Sequence, residues 1–116
     1  MKIRNDQMGS MDAARQAEYD RGLLRYFRSE HAGITGQYSD AELLNMISVA
    51  RRRAASYGIR SGDGTKKFVI MAVLISPTFD EHPDVKRYLK QPDLDPDYKI
   101  IALSEQVARN IREKID

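Results

Sequence analysis

Cysteine is absent from the 116 residues, which excludes disulfides, thiol nucleophiles and thiolate metal sites. Histidine is scarce. His31 and His82 are the two in the chain, and neither has a second histidine three or four residues away. No apolar run approaches the ~20 residues that a membrane span needs, and Met1-Lys2-Ile3-Arg4-Asn5-Asp6 has no apolar stretch of the signal-peptide kind. The expectation is a cytoplasmic protein without a membrane partner. An excess of one charge sign is also missing, since 19 Lys and Arg face 17 Asp and Glu. The pI near 8.9 therefore rests on a net charge of +2, a balance that favours solubility over any particular partner. At 13.3 kDa the chain fits a single domain, 1–116, with little room for a large catalytic cleft.

What is present reads as helix. Residues 5–30 lack proline and are rich in Ala, Arg, Gln, Glu and Leu, all good helix formers. Ala13, Ala17, Leu24 and Phe27, with Tyr19, Leu23 and Tyr26 beside them, form a broad apolar stripe at helical spacing. Gly33, Ile34, Thr35 and Gly36 interrupt it, and the expectation there is a loop. Ser39-Asp40-Ala41-Glu42 matches a capping box. Leu43, Ile47, Ala50, Ala54 and Tyr57 come next at spacings of three and four, and Gly58 sits where a left-handed C-cap residue belongs.

Residues 61–65 are a turn or another helix start, leading into the most hydrophobic stretch, 68–75. Its β-branched residues would suit a buried strand. No second β-like run offers a partner, however, and Ser76-Pro77 gives a clean helix stop. Pro83 suits the first turn of a short helix through Leu89, and Asp95-Pro96 suits the N-cap and first position of a final one. That last helix carries Ile100, Leu103, Val107, Ile111 and Ile115 as an apolar stripe. The fold class is all-α: a compact bundle of four to five helices around a buried central helix at about 65–76.

The motifs that carry chemistry are weak. The Asp80-Glu81-His82 cluster has residue types that bind cations, yet it precedes a Pro-initiated helix as an ordinary polar loop would. Residues 61–65 resemble part of an EF-hand, but the twelfth position would be Ile70, where a bidentate Glu is required. Residues 62–67 miss the phosphate-loop pattern. Asp93, Asp95 and Asp97 alternate with Pro92 and Pro96 as turn and cap residues do. No serine lies in a nucleophile-elbow motif. No metal, cofactor or enzymatic activity is expected.

Two binding readings remain. Arg51, Arg52, Arg53, Arg60, Lys66 and Lys67 make the strongest basic cluster, and the short 58–61 connection permits a helix-turn-helix regulator using residues 51–67. Against nucleic acid, adjacent helical residues fan out by about 100°. The second helix of that unit is also almost wholly apolar, whereas a recognition helix must present polar side chains to base edges. The favoured reading is a protein-binding module. Its contact candidates are Arg52, Arg53, Arg60, Asp63, Lys66, Asp80, Glu81 and His82, chosen for loop position and expected exposure.

Ile3-Arg4 with Gln7, Tyr57-Gly58-Ile59-Arg60-Ser61, Pro77-Thr78-Phe79-Asp80-Glu81-His82-Pro83 and Gln91-Pro92-Asp93-Leu94 together resemble a family of small bacterial proteins of about this length. Such proteins are similar to those encoded beside type VI secretion components, notably PAAR spike-tip proteins and their toxic effectors. The chain departs from that pattern after Ser61, where Gly62-Asp63-Gly64 replaces charged helix-starting residues. The resemblance implies a non-enzymatic accessory role, either an immunity protein or an effector-loading adaptor, with a secreted toxin or its PAAR-type carrier as partner.

Overall fold

The computed structural model describes residues 13–115, with side chains through residue 110. Predicted helical residues 5–12 and the side chains of Ile111 and Ile115 lie outside that description. Among the described residues every regular element is helical. They are α1 (Ala13–Glu30), α2 (Ala32–Thr35), α3 (Asp40–Ser56), α4 (Gly62–Leu74), a 3-10 turn (Phe79–Glu81), α5 (Pro83–Leu89) and α6 (Pro96–Ile115). The all-α expectation holds. The chain divides into two compact units, one up to Leu44 and one from Asn45 onward, with α3 running through the division.

In the first unit α1 buries Asp20, Leu23 and Phe27, an i, i+3, i+7 line. The predicted stripe is thereby corrected: Ala13 is exposed, and Ala17 and Leu24 are half-buried. α2 folds back on the C-terminal end of α1, and the Phe27 ring lies 6.1 Å from that of His31, the N-cap of α2. The loop expected at residues 33–36 is instead a single helical turn. Thr35 N–H donates to His31 O at 3.0 Å, and Thr35 Oγ1 donates to the same oxygen at 2.9 Å. Arg28 clamps the end of this turn and the connection to α3, donating to Thr35 O at 2.6 Å, Tyr38 O at 2.8 Å and Asp40 Oδ1 at 2.8 Å. With those orphan carbonyls satisfied, the poor propensity of Gly33 and Gly36 is overridden. The capping box forms as expected: Ser39 Oγ accepts from Glu42 N–H at 3.1 Å, and Glu42 Oε1 accepts from Ser39 N–H at 2.8 Å.

The second unit begins within α3, whose buried face continues from Leu43 through Ile47, Ala50 and Ala54. Gly58 ends the helix at φ +86°. Ile59 N–H reaches Ala54 O and Gly58 N–H reaches Ala55 O, the paired bonds of a Schellman motif. Burial of Ile59 beside Ala54 supplies its apolar contact.

α4 is the buried central helix, with Phe68, Val69, Met71, Ala72 and Val73 shielded from water. It spans Gly62–Leu74 rather than 65–76, because Ser61 Oγ accepts from Gly64 N–H at 2.8 Å and so sets the start earlier. Ile75, expected inside, is 50% exposed at the C-cap. Asp97 Oδ1 accepts from Ser61 Oγ at 2.7 Å and Ser61 N–H at 2.9 Å. Both carboxylate oxygens also accept from Arg60 N–H. A Cβ at Gly64 would overlap Asp97 Oδ1, so this close approach of α6 to the start of α4 requires glycine. α4 and α6 therefore start together and run side by side. Asp95 caps α6 as predicted, accepting from Tyr98 N–H at 3.1 Å. Lys99 is 1% exposed, and its ammonium donates to Leu89 O at 2.8 Å and to Gln91 O. A cation thus closes the C-terminal end of α5.

Candidate functional site: an apolar groove beside a pinned turn

A groove of about 520 Å³ opens in the second unit, lined by Met71, Ile75, Phe79, Val85, Leu103 and Val107, with Glu81 and His82 on its polar side. Each wall arises from local sequence. Met71 and Ile75 are one turn apart at the C-terminal end of α4, and Leu103 and Val107 are one turn apart on α6, so two i, i+4 ridges face the groove. The third wall is the 3-10 turn with α5. Pro77 and Pro83 bracket that turn and prevent it from joining either helix.

Three successive residues fix the turn. The Phe79 ring lies 4.9 Å from Phe68, which in turn lies 6.0 Å from Tyr57. Asp80 is 1% exposed. Its carboxylate accepts from Arg53 Nη2 at 2.7 Å, Arg53 Nε at 3.3 Å and Tyr57 O–H at 3.0 Å. Glu81 Oε2 accepts from the same Arg53 Nη2 at 3.1 Å. These hydrogen bonds, to Asp80 first and then Glu81, raise the Arg53 pKa above its ordinary value. Burial, together with the bond to Asp80, pushes Tyr57 up to about 12. One guanidinium thus faces two carboxylates. The cluster keeps a net negative charge, carried outward by Glu81, whose side chain is 56% exposed.

The other polar lining groups are engaged locally. Ser76 Oγ accepts from Thr78 N–H at 3.2 Å. His82 Nδ1 accepts from Asp84 N–H at 3.2 Å, capping α5 beside Pro83. Among the described residues no group of three or more His, Cys, Asp or Glu is placed to hold a metal ion. No described helix is long and apolar enough to cross a membrane.

The contact candidates fall into three places. Glu81 and His82 reach the groove, with Arg53 and Asp80 behind them. Asp80 departs from its expected exposure because Arg53 and Tyr57 hold it inside. Arg60 precedes α4, and Asp63 and Lys66 lie in its N-terminal part, about 12 Å and about 7.5 Å along the axis from Met71 at 1.5 Å per residue. Arg52 is exposed and donates to Ser48 Oγ at 2.7 Å. α4, which a helix-turn-helix would turn toward DNA, is the most buried helix of its unit. Sequence reasoning passed over the groove's apolar walls because it assigned Ile75, Leu103 and Val107 to the core. The available signal was an apolar stripe on α6 longer than α4 can cover. Comparison with protein-family models, curated proteins and solved structures finds no match.

Proposed function

We propose that this protein is a non-enzymatic, protein-binding accessory of a bacterial type VI secretion effector cluster, acting by direct contact with a toxin or its PAAR-type carrier. The observation that carries protein binding is the groove, where Ile75, Phe79, Val85, Leu103 and Val107 stay partly open to solvent over buried Met71, beside a turn already fixed in place. Covering such a surface returns about 25 cal/mol per Å² of apolar area removed from water. A pre-set wall also lowers the ordering cost of association. The volume would admit a small molecule. Sites for small molecules, however, add convergent polar groups that fix orientation, and here Ser76 Oγ and His82 Nδ1 bond within the turn and one Glu81 oxygen is held by Arg53. The secretion context is supported by the sequence resemblance over residues 57–61 and 77–83.

The test is co-purification of the tagged protein from its native bacterium, followed by mass spectrometry. A secreted effector, spike or PAAR protein in near-stoichiometric amount is the expected result, and toxicity rescue then separates immunity from loading. Recovery of nucleic acid alone, lost at high salt as phosphate contacts require, would replace this reading with a regulator.

A further inference from the structure

Resting on the protein-binding reading, the geometry points to the partner's chemistry: the groove takes an amphipathic helix that sets a Lys or Arg against Glu81. The backbone requirement decides between helix and extended segment. A strand added to a protein needs a sheet edge to pair with, and every described element is helical. An extended peptide laid on Met71, Ile75, Leu103 and Val107 would bury N–H and C=O groups against hydrocarbon without partners, which is costly. A helix satisfies those groups internally. The two i, i+4 ridges on α4 and α6 match the ridge-and-groove surface by which helices pack, and apolar residues at i, i+3, i+4 and i+7 would fill the space between them.

The charge is set by the cluster behind the turn. Arg53 is shared between Asp80 and Glu81. Glu81 Oε2 is taken by that guanidinium, while Oε1 accepts no hydrogen bond from the described residues. A cation from the partner would complete this carboxylate, and an acidic residue at the same place would meet uncompensated negative charge.

The experiment is selection of a displayed library of 15-residue helical peptides on the full-length protein, with counter-selection on Val107→Asp. Enriched peptides should carry apolar residues at i, i+3, i+4 and i+7 with a flanking Lys or Arg. Ile75→Asp, at a half-exposed position, provides a second groove variant, and circular dichroism checks that both remain helical. For one selected peptide, exchanging its Lys for Glu should weaken binding about tenfold, as expected when an exposed attraction becomes a repulsion. Glu81→Gln should shrink that preference to about twofold or less. Three results would each overturn the inference: no peptide that separates wild type from both groove variants, binders without helical spacing, or a Lys preference unchanged in Glu81→Gln. The two readings fail separately. An effector that still co-purifies with the Val107→Asp protein removes the groove and leaves the accessory role. Helical binders without any co-purifying effector do the reverse.

Discussion

Removing the more exposed member of the Arg53–Asp80 pair should cost more than removing the buried one. Asp80's side chain is 2% exposed and Arg53's is 30% exposed. In Arg53→Met the carboxylate stays inside with Tyr57 O–H as its remaining side-chain donor. Breaking a buried pair in this way costs about 3–5 kcal/mol. In Asp80→Asn the guanidinium retains Glu81 and access to water. The loss there is about 2 kcal/mol, the scale of hydrogen bonds to a charged group. Against a total stability of about 5–15 kcal/mol, both should shift the urea midpoint clearly, read by circular dichroism at 222 nm. The double variant should cost less than the sum of the two, with a coupling of at least about 1 kcal/mol. Asp80→Asn costing as much as Arg53→Met, or both falling under about 0.5 kcal/mol, would refute the assignment of the buried carboxylate as the group that needs its partner.

The contacts around Asp97 and Tyr57 are open to the same kind of test. Gly64→Ala forces a Cβ onto Asp97 Oδ1 and against Ile59 and Ser61, and it should cost about 1–3 kcal/mol by thermal or urea unfolding. Burial would raise the pKa of Asp97, but the Ser61 hydroxyl and the Ser61 and Arg60 amides outweigh it and hold the carboxyl below its ordinary value. A depressed folded-state pKa gives stability that is present above the unfolded value and lost as pH falls through the folded one. The stability difference between wild type and Asp97→Asn should therefore shrink as pH drops below about 4, and a difference constant to pH 2 would contradict the linkage. Tyrosinate absorbance at 295 nm should show a component titrating near pH 12, above the tyrosines Tyr26 and Tyr88 that burial also raises, with its amplitude lost in Tyr57→Phe.

Much of the fold was legible because its signals are local. Ser39 with Glu42 and Asp95 satisfy backbone groups within a few residues, Gly58 supplies a positive φ and Pro83 a first helical turn, so their roles do not depend on what packs around them. α2 was misread for the opposite reason. Its one turn is held by Arg28 reaching from α1 to Thr35 and Tyr38, a contact that residue propensity does not encode.

The site divides along the same line. Sequence by itself determined that the chain is helical, that the apolar run 68–75 supplies a central helix, of which Phe68, Val69, Met71, Ala72 and Val73 are buried, and that Glu81 and His82 sit on a proline-bracketed turn. Tertiary structure alone decided that Asp80 goes inward to Arg53 and Tyr57, that Asp97 caps a helix 36 residues upstream at Ser61, and that Lys99 closes α5. It also decided which apolar residues stay uncovered. Periodicity marks the face a helix would bury but not how far a neighbour extends along it. With α4 ending at Leu74, Ile75, Leu103 and Val107 remain at an open groove while Ile100 on the same stripe is fully buried.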